Sequence, residues 1–495
     1  MTIPNSELNT GVDSGVFSGS NGVFNAPESY EQFVKAISAT SNQTDHATFT
    51  GTAAYRRESL EGTMRKIIAT RKTFKLLNVL PKDSTESYLD EWAVQTDIGG
   101  QPGGIFAGEY GNNLDPESGD YERKVAFSKF MQTPAGVTLA QAKQKGLESA
   151  RALENNNAIL RLLRGINWSC YHGDSKVSPK MIDGIYSQIK SHNNGQNIMD
   201  VWSTGAISDI SNVDALVDKL NTAAGKVVGQ ESYGELTDIY MDPMVQVALD
   251  RNLDPAYRVQ LDKEEVKYGA PVRAIRTSFG DIKTNFDVHI EGNDNSMPQY
   301  GRGRDVSKGP GVSGGVAVTA QSNVAGTRFI SGTEGTYIYA VVFVNANGIE
   351  GMPIMTDPVA VGVNGAAQLV IQPPVDRTQT GVKIFRSKRN PSGVPSWRDF
   401  RLVESIPANS DRNAATTYVD KNRLIPGRSP IFLLNLDPMS IKWKNYVPMM
   451  TWPLAQIDTT YRWLVLNYGY LQLGIPQHFF YIENFVSPYS AWQPF

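Results

Sequence analysis

Between Gly311 and Asp420 the chain holds about seven short strand-like runs, the number and spacing of a small β-sandwich. They are Val316–Thr319, Thr336–Val344, Val359–Val363, Gln368–Ile371, Val382–Ser387, Phe400–Ile406 and Thr417–Val419. Turn signals such as Asn347-Gly348 and Asn364-Gly365 separate them. In Thr336–Val344 the side chains of Tyr337, Tyr339, Val341 and Phe343 share one face. The chain before this module and the chain after it read as two parts of one other fold, so the module is an insertion. It leaves through Gly301–Gly315, where Gly301-Arg302-Gly303-Arg304 and Lys308-Gly309-Pro310-Gly311 read as flexible linker, and returns through Asp420–Gly427.

The 495 residues suffice for two or three cores. A hydrophobic fraction of 40% and a charged fraction of 20% describe a soluble, folded chain. A net charge of −3 gives no global basic field to hold nucleic acid. No stretch approaches about 18 apolar residues, so no membrane helix is expected. No basic stretch precedes an apolar run at the N-terminus, so no signal peptide is expected. The single cysteine, Cys170, excludes an internal disulfide framework and fits a reducing cytoplasm.

Residues 1–54 are rich in Gly, Ser, Asn and Thr. They read either as a disordered tail or as an arm that orders against a neighbouring subunit. Residues 55–82 have helical character and are locally basic, with Arg56, Arg57, Arg65 and Lys66 as candidate contact residues. A solvated basic face, a subunit contact and a DNA contact all fit them. Residues 83–130 read as two strands joined by a long glycine-rich tip, an extended hairpin. It is acidic, with Asp90, Glu91, Glu109 and Glu117 as candidate contacts, and has too little apolar surface to stand alone. Thr138 to Tyr171 gives the longest helical signal, capped by Thr138, with Leu139, Ala142, Gly146, Ala150, Leu153, Asn157, Leu160 and Leu163 as its stripe. Such a helix would span about 50 Å. From Val201 to Glu291 helices and strands alternate: a helix Val213–Val228 capped by Ser211 or Asn212, a strand Leu236–Met241, a helix opening at Asp242-Pro243, and strands Val272–Thr277 and Ile282–Val288. Ile431 to Phe485 returns to mixed structure, dense in aromatics, with Leu464–Tyr470 and Phe479–Asn484 as strands. The class is α+β.

The search for chemistry finds no constellation. The five histidines are far apart, and none has a second ligand at metal spacing. No phosphate-cradling glycine motif of the form G-x-x-x-x-G-K-[ST] is present. Cys170 and His172 do not face each other on a helix, and Cys170 reads as a buried structural thiol. A glycosidase leaves no short motif and stays conceivable. No cofactor, metal or catalytic residue is assigned.

Several segments resemble the major capsid proteins of tailed bacteriophages, which share the Hong Kong 97-type fold. The order of parts is similar: arm, extended hairpin, long spine helix, mixed axial domain. Tyr171-His172-Gly173-Asp174 through Asp183-Gly184-Ile185 resembles the family's turn after the spine helix. Thr237-Asp238-Ile239-Tyr240-Met241-Asp242-Pro243 resembles its strand-to-helix step, and Ile275-Arg276-Thr277-Ser278-Phe279-Gly280 the hairpin that follows. Pro453-Leu454-Ala455, Arg462-Trp463-Leu464-Val465, Tyr468-Gly469-Tyr470-Leu471 and Ile475-Pro476 look like its C-terminal strands. Within the insertion, Tyr337-Ile338-Tyr339-Ala340-Val341 and Val382-Lys383-Ile384-Phe385-Arg386-Ser387 are similar to fibronectin type III and immunoglobulin-like modules.

The resemblance implies a division into an arm (1–54), a basic helical segment (55–82), a hairpin (83–130), a spine and peripheral domain (131–200), an axial domain (201–300 and 428–495) and an inserted sandwich (301–427). It implies a shell of pentamers and hexamers around double-stranded DNA bound without sequence preference. Scaffold and portal proteins would be partners, with room for a decoration protein and no membrane. The implied location is the virion, assembled in the host cytoplasm. The family's lysine–asparagine crosslink has no assignable lysine: Lys82 lies near the hairpin base, and none follows between Asp83 and Arg123. The module is expected to project from the outer surface. Two other readings fit the residues: an extracellular carbohydrate-active enzyme or adhesin with an accessory sandwich, and a phage tail or neck component.

Overall fold

The computed structural model describes residues 73–100, 118–143, 149–203, 205–229, 233–252, 272–290, 309–311, 315–393, 395–456 and 458–495. The arm, residues 55–72 of the basic helical segment and the hairpin tip lie outside them.

Two cores build the body. The first joins helices α1 (Lys75–Val79), α3 (Ala150–His172) and α4 (Ile185–Ser191) to a four-stranded sheet, while the short α2 (Leu139–Lys143) is exposed. That sheet runs β1 (Lys82–Ser84), β19 (Ile441–Pro453), β20 (Thr460–Leu473), β4 (Lys129–Thr138). β2 (Leu89–Asp97) and β3 (Asp120–Phe127) pair antiparallel as a hairpin of their own.

The long helical run expected from Thr138 is shorter than the sequence suggested. β4 claims Lys129–Thr138 because all ten of those residues pair with β20. Thr138 still caps, accepting from Gln141 N at 3.3 Å, but the helix it starts is the short α2. The spine is α3, 23 residues and about 35 Å long. Its buried face is Ala158, Leu162, Ile166 and Cys170, at steps of four. The stripe through Leu153, Asn157 and Leu160 lies beside that face and is only half buried. Cys170 is fully buried, which drives its thiol pKa far up and leaves it protonated, as a structural thiol should be.

The second core lies under a six-stranded sheet ordered β5 (Ile198–Asp200), β21 (Phe480–Glu483), β18 (Ile431–Leu434), β6 (Asp238–Met241), β8 (Gly280–Phe286), β7 (Ala274–Thr277). Period-two alternation explains its place between the cores. Tyr240, Phe432, Leu434 and Tyr481 point to the first, and Ile239, Met241, Leu433 and Ile482 to the second. Helices α5 (Val213–Val228) and α6 (Pro243–Asn252) cover that second face. Asn212 caps α5 at Asp214 N (3.0 Å), and Asp242 holds Met244 N (3.1 Å) at the start of α6.

The middle of the chain forms β9 (Val316–Gln321), β10 (Gly335–Tyr337), β11 (Tyr339–Asn345), β12 (Ile354–Met355), β13 (Val359–Val361), β14 (Ala366–Ile371), β15 (Gln379–Arg386), β16 (Arg401–Pro407) and β17 (Thr416–Asp420). One sheet runs β12-β11-β15-β16, another β17-β14-β9, and β10 pairs β13. Tyr337, Tyr339, Val341 and Phe343 share an apolar cluster with Ala367, Leu369 and Ile371 of the other sheet. The opposite face of β11 is buried as well: Ile338, Ala340 and Val342 pack with Phe385 and Phe400.

This region does not stand clear of the body. Thr380 Oγ1 donates to Val177 O (2.9 Å), Lys180 N to Ala346 O (3.2 Å) and Arg428 Nη1 to Val403 O (2.8 Å). Gly381 lies so close to Val177 that a Cβ there would come within 2.3 Å of Val177 Cγ1. The last residues strap the far side. Trp492, 3% exposed, donates to Asp399 O (3.0 Å) beside Arg401 and Lys388, and Phe495 packs with Trp202, Ile207 and Ile330.

Candidate functional site

The hairpin root gathers several charged and aromatic side chains on the body. β1 runs parallel to β19, so Asp83 comes to lie beside Lys444 (Nζ–Oδ2 2.7 Å) and Lys442 (3.3 Å). The hydrogen bond from Lys444 and one from Ser84 N hold the Asp83 carboxyl down to about 2. Alternation in β2 turns Asp90, Trp92 and Val94 toward the body. Tyr470 donates to Asp90 Oδ2 (2.6 Å), and its ring stacks on Trp92. Burial, then this bond to Asp90, pushes the Tyr470 phenol pKa up, so it stays a donor. Tyr88 stacks on Phe130 with rings 6° apart, and Phe130 meets Tyr468 edge-on.

Of the candidate contact residues read from sequence, Arg56, Arg57, Arg65, Lys66, Glu109 and Glu117 lie outside the described residues. Asp90 and Glu91 are described, and their charge is used within the chain. Asp90 faces Tyr470 and Lys444, and Glu91 pairs with Arg123 across the hairpin. The cations that grip the hairpin, Lys442 and Lys444, went unread. Their spacing of two on one strand face was the available signal.

A second surface is apolar. β1 covers β19 only at Trp443–Asn445, which leaves the outer edge of β19 beyond Asn445 without a strand partner among the described residues. That part carries Met449, Met450 and Trp452, with Leu454 just past it, exposed by 42%, 41%, 56% and 37%. Four large apolar side chains on an unpaired sheet edge form a surface that a monomer in water would ordinarily cover.

Among the described residues no three His, Cys, Asp or Glu side chains converge as metal ligands would, and no helix is long and apolar enough to cross a membrane.

No family model matches the sequence. The chain is similar to the major capsid protein of Staphylococcus phage K, 22% identical over 460 residues that cover 87% of this chain and 90% of the relative. The major capsid protein of Staphylococcus phage S25-3 is similar to the same extent, 22% over 460 residues, with the same shares of each chain. Among solved structures, the capsid of an empty GTA particle aligns with a TM-score of 0.47 at 9% identity, covering 90% of this chain and 100% of that chain. The capsid of Myoviridae phage XM1 aligns with a TM-score of 0.42 at 7% identity, covering 86% and 96%.

Proposed function

We propose that this chain is a structural major capsid protein of a tailed bacteriophage, a wall subunit and not an enzyme. The observation that carries the reading is similarity along nearly the full length of both chains to proteins bearing that name.

Many copies, grouped as pentamers and hexamers, build an icosahedral head of the Hong Kong 97 type around double-stranded DNA held without sequence readout. Assembly takes place in the host cytoplasm with a scaffold and a portal as partners, and a decoration protein as a further one. Gly311–Asp420 is an immunoglobulin- or fibronectin-like sandwich set into the axial domain. The exposed edge of β19 supports this reading, because its apolar side chains call for a second copy. Arg56, Arg57, Arg65 and Lys66 of one copy are the proposed partners of Glu109 and Glu117 of the next, a charge match that sets register more than affinity.

The full chain, expressed alone or with a scaffold, is expected to give shells or capsomers in the electron microscope. A compact monomer under assembly conditions would sink the reading.

A further inference from the structure

The returning segment of the inserted module, together with Arg328 inside it, meets the body at one place, the end of β21. Asn484 donates to Arg423 O on the returning segment (2.7 Å) and to Asp200 Oδ1 on the body (2.9 Å), and accepts from Ile425 N (2.9 Å). Ser429 N donates to Phe485 O at 2.7 Å. Arg328, between β9 and β10 of the module, pairs with Asp200 and lies over the ring of Trp202. Lys190 on α4 reaches Glu404 on β16 (3.2 Å).

Glu483 sits in the middle of this joint. It is opposite Asp200 in the parallel pairing of β21 with β5. The charges that face it are Asp200 from β5, Lys190 from α4, Arg328 from the module and Arg428 from the returning segment. Tyr186 and Tyr481 face it as phenols kept neutral mainly by burial. Asp200 and Glu404 each have a cation in contact. Among the described residues Glu483 has none within ion-pair distance.

We propose that this joint is proton-controlled, and that ionisation of Glu483 loosens the module from the body. The inference does not rest on the shell reading. Burial is the main cause that lifts the Glu483 carboxyl from 4.5 to about 7, with Asp200 adding to it and Arg428 opposing. A closed joint therefore holds the proton more tightly than an open one, where the carboxyl meets water. The sign follows from proton linkage. The contribution is fully present below 4.5, shrinks as pH rises, and is gone once pH passes about 7. Across that window the open fraction grows roughly tenfold per pH unit, then levels off.

The test is amide-exchange protection of the full chain, corrected for intrinsic rates, from about pH 5 to about pH 8. Segments around Trp202, Ile330 and Ile425 should lose protection roughly tenfold per unit up to about pH 7 and then plateau. Amides at Val341–Phe343, inside the module, should not follow. Glu483→Gln, which mimics the protonated acid, should make the joint segments insensitive over the same range. A flat profile in the unmodified chain, or the same slope in Glu483→Gln, overturns the proposal. Should that variant not fold, infrared difference spectra of the unmodified chain decide. A protonated carboxyl band that disappears near pH 7 supports the proposal, and its absence at about pH 6 overturns it.

Discussion

Arg386 and Asp420 face each other at 2.7 Å with their side chains 0% and 1% exposed. Tyr339 donates a second bond to the same Asp420 oxygen (2.8 Å), and Arg386 Nη2 reaches Asn422 Oδ1 (2.7 Å). The guanidinium also lies 4.8 Å from the Tyr337 ring centre. This pair ties the middle of the module to the point where the chain leaves it. Removing one member strands the other in an apolar core. Asp420→Ala should therefore cost about 3–5 kcal/mol, measured by denaturant unfolding. The double replacement Arg386→Met with Asp420→Leu should cost less than the single one, because no charge is left buried. A single variant as stable as the parent would contradict this account.

Gly381 is where the module touches the body without a side chain between them. A methyl there meets Val177 Cγ1 at 2.3 Å and Val177 O at 2.8 Å. Gly381→Ala should lower stability by about 1–3 kcal/mol. Shortening the partner as well, with Val177→Ala, should recover part of the loss in a double-mutant cycle.

Trp492 should behave as a strap anchor. Its indole is buried between Arg401 and Lys388 and bonded to Asp399 O. Trp492→Ala should cost about 3 kcal/mol and raise exchange at Trp397–Arg401 more than in the six-stranded sheet. Equal effects in both places would show that the strap acts on the whole body instead.

The hairpin root should let go in acid. Asp83 is held down to about 2 by Lys444 and Ser84, so its contact is intact at neutral pH and is lost as pH falls through about 2. Protease cleavage within β2 and β3 should rise at that pH. In Asp83→Asn the hairpin should already be accessible near neutrality, and an unchanged cleavage pattern there would remove Asp83 from the attachment.

Removing Gly311–Asp420 should prevent normal shells, not merely strip them of an appendage. The deletion uncovers Val177 and deprives Trp202 of Arg328 and Ile330. Electron microscopy of the deletion variant decides the matter, and normal heads would show that the body is complete without the module.

The sequence was most readable where a local rule decides. Asn212 ahead of an apolar run and Asp242-Pro243 at a helix start work through neighbours in the chain, as does the turn between β7 and β8, read at Phe279-Gly280-Asp281 and found at Ser278-Phe279. β4 beyond Phe130 went unread because its partner lies over 300 residues away on β20. The strand role of Ile441–Pro453 was hidden by its aromatics and by two irregularities in its register with β20. The fate of Asp90 and Glu91 could not be read either. A carboxylate looks free in sequence, and only the fold supplied Tyr470, Lys444 and Arg123.

The six-stranded sheet takes β6, β7 and β8 from one side of the insertion and β18 and β21 from the other. β18 meets β6 across the whole module, so this sheet cannot close until the module's chain has been made. A disordered loop of that length would oppose closure entropically. A folded module shortens that loop, because Asn422 Nδ2 donates to Arg328 O across 94 residues of chain (3.1 Å). Any change that slows folding of the module is thus also a change in how fast the body finds its own middle strands.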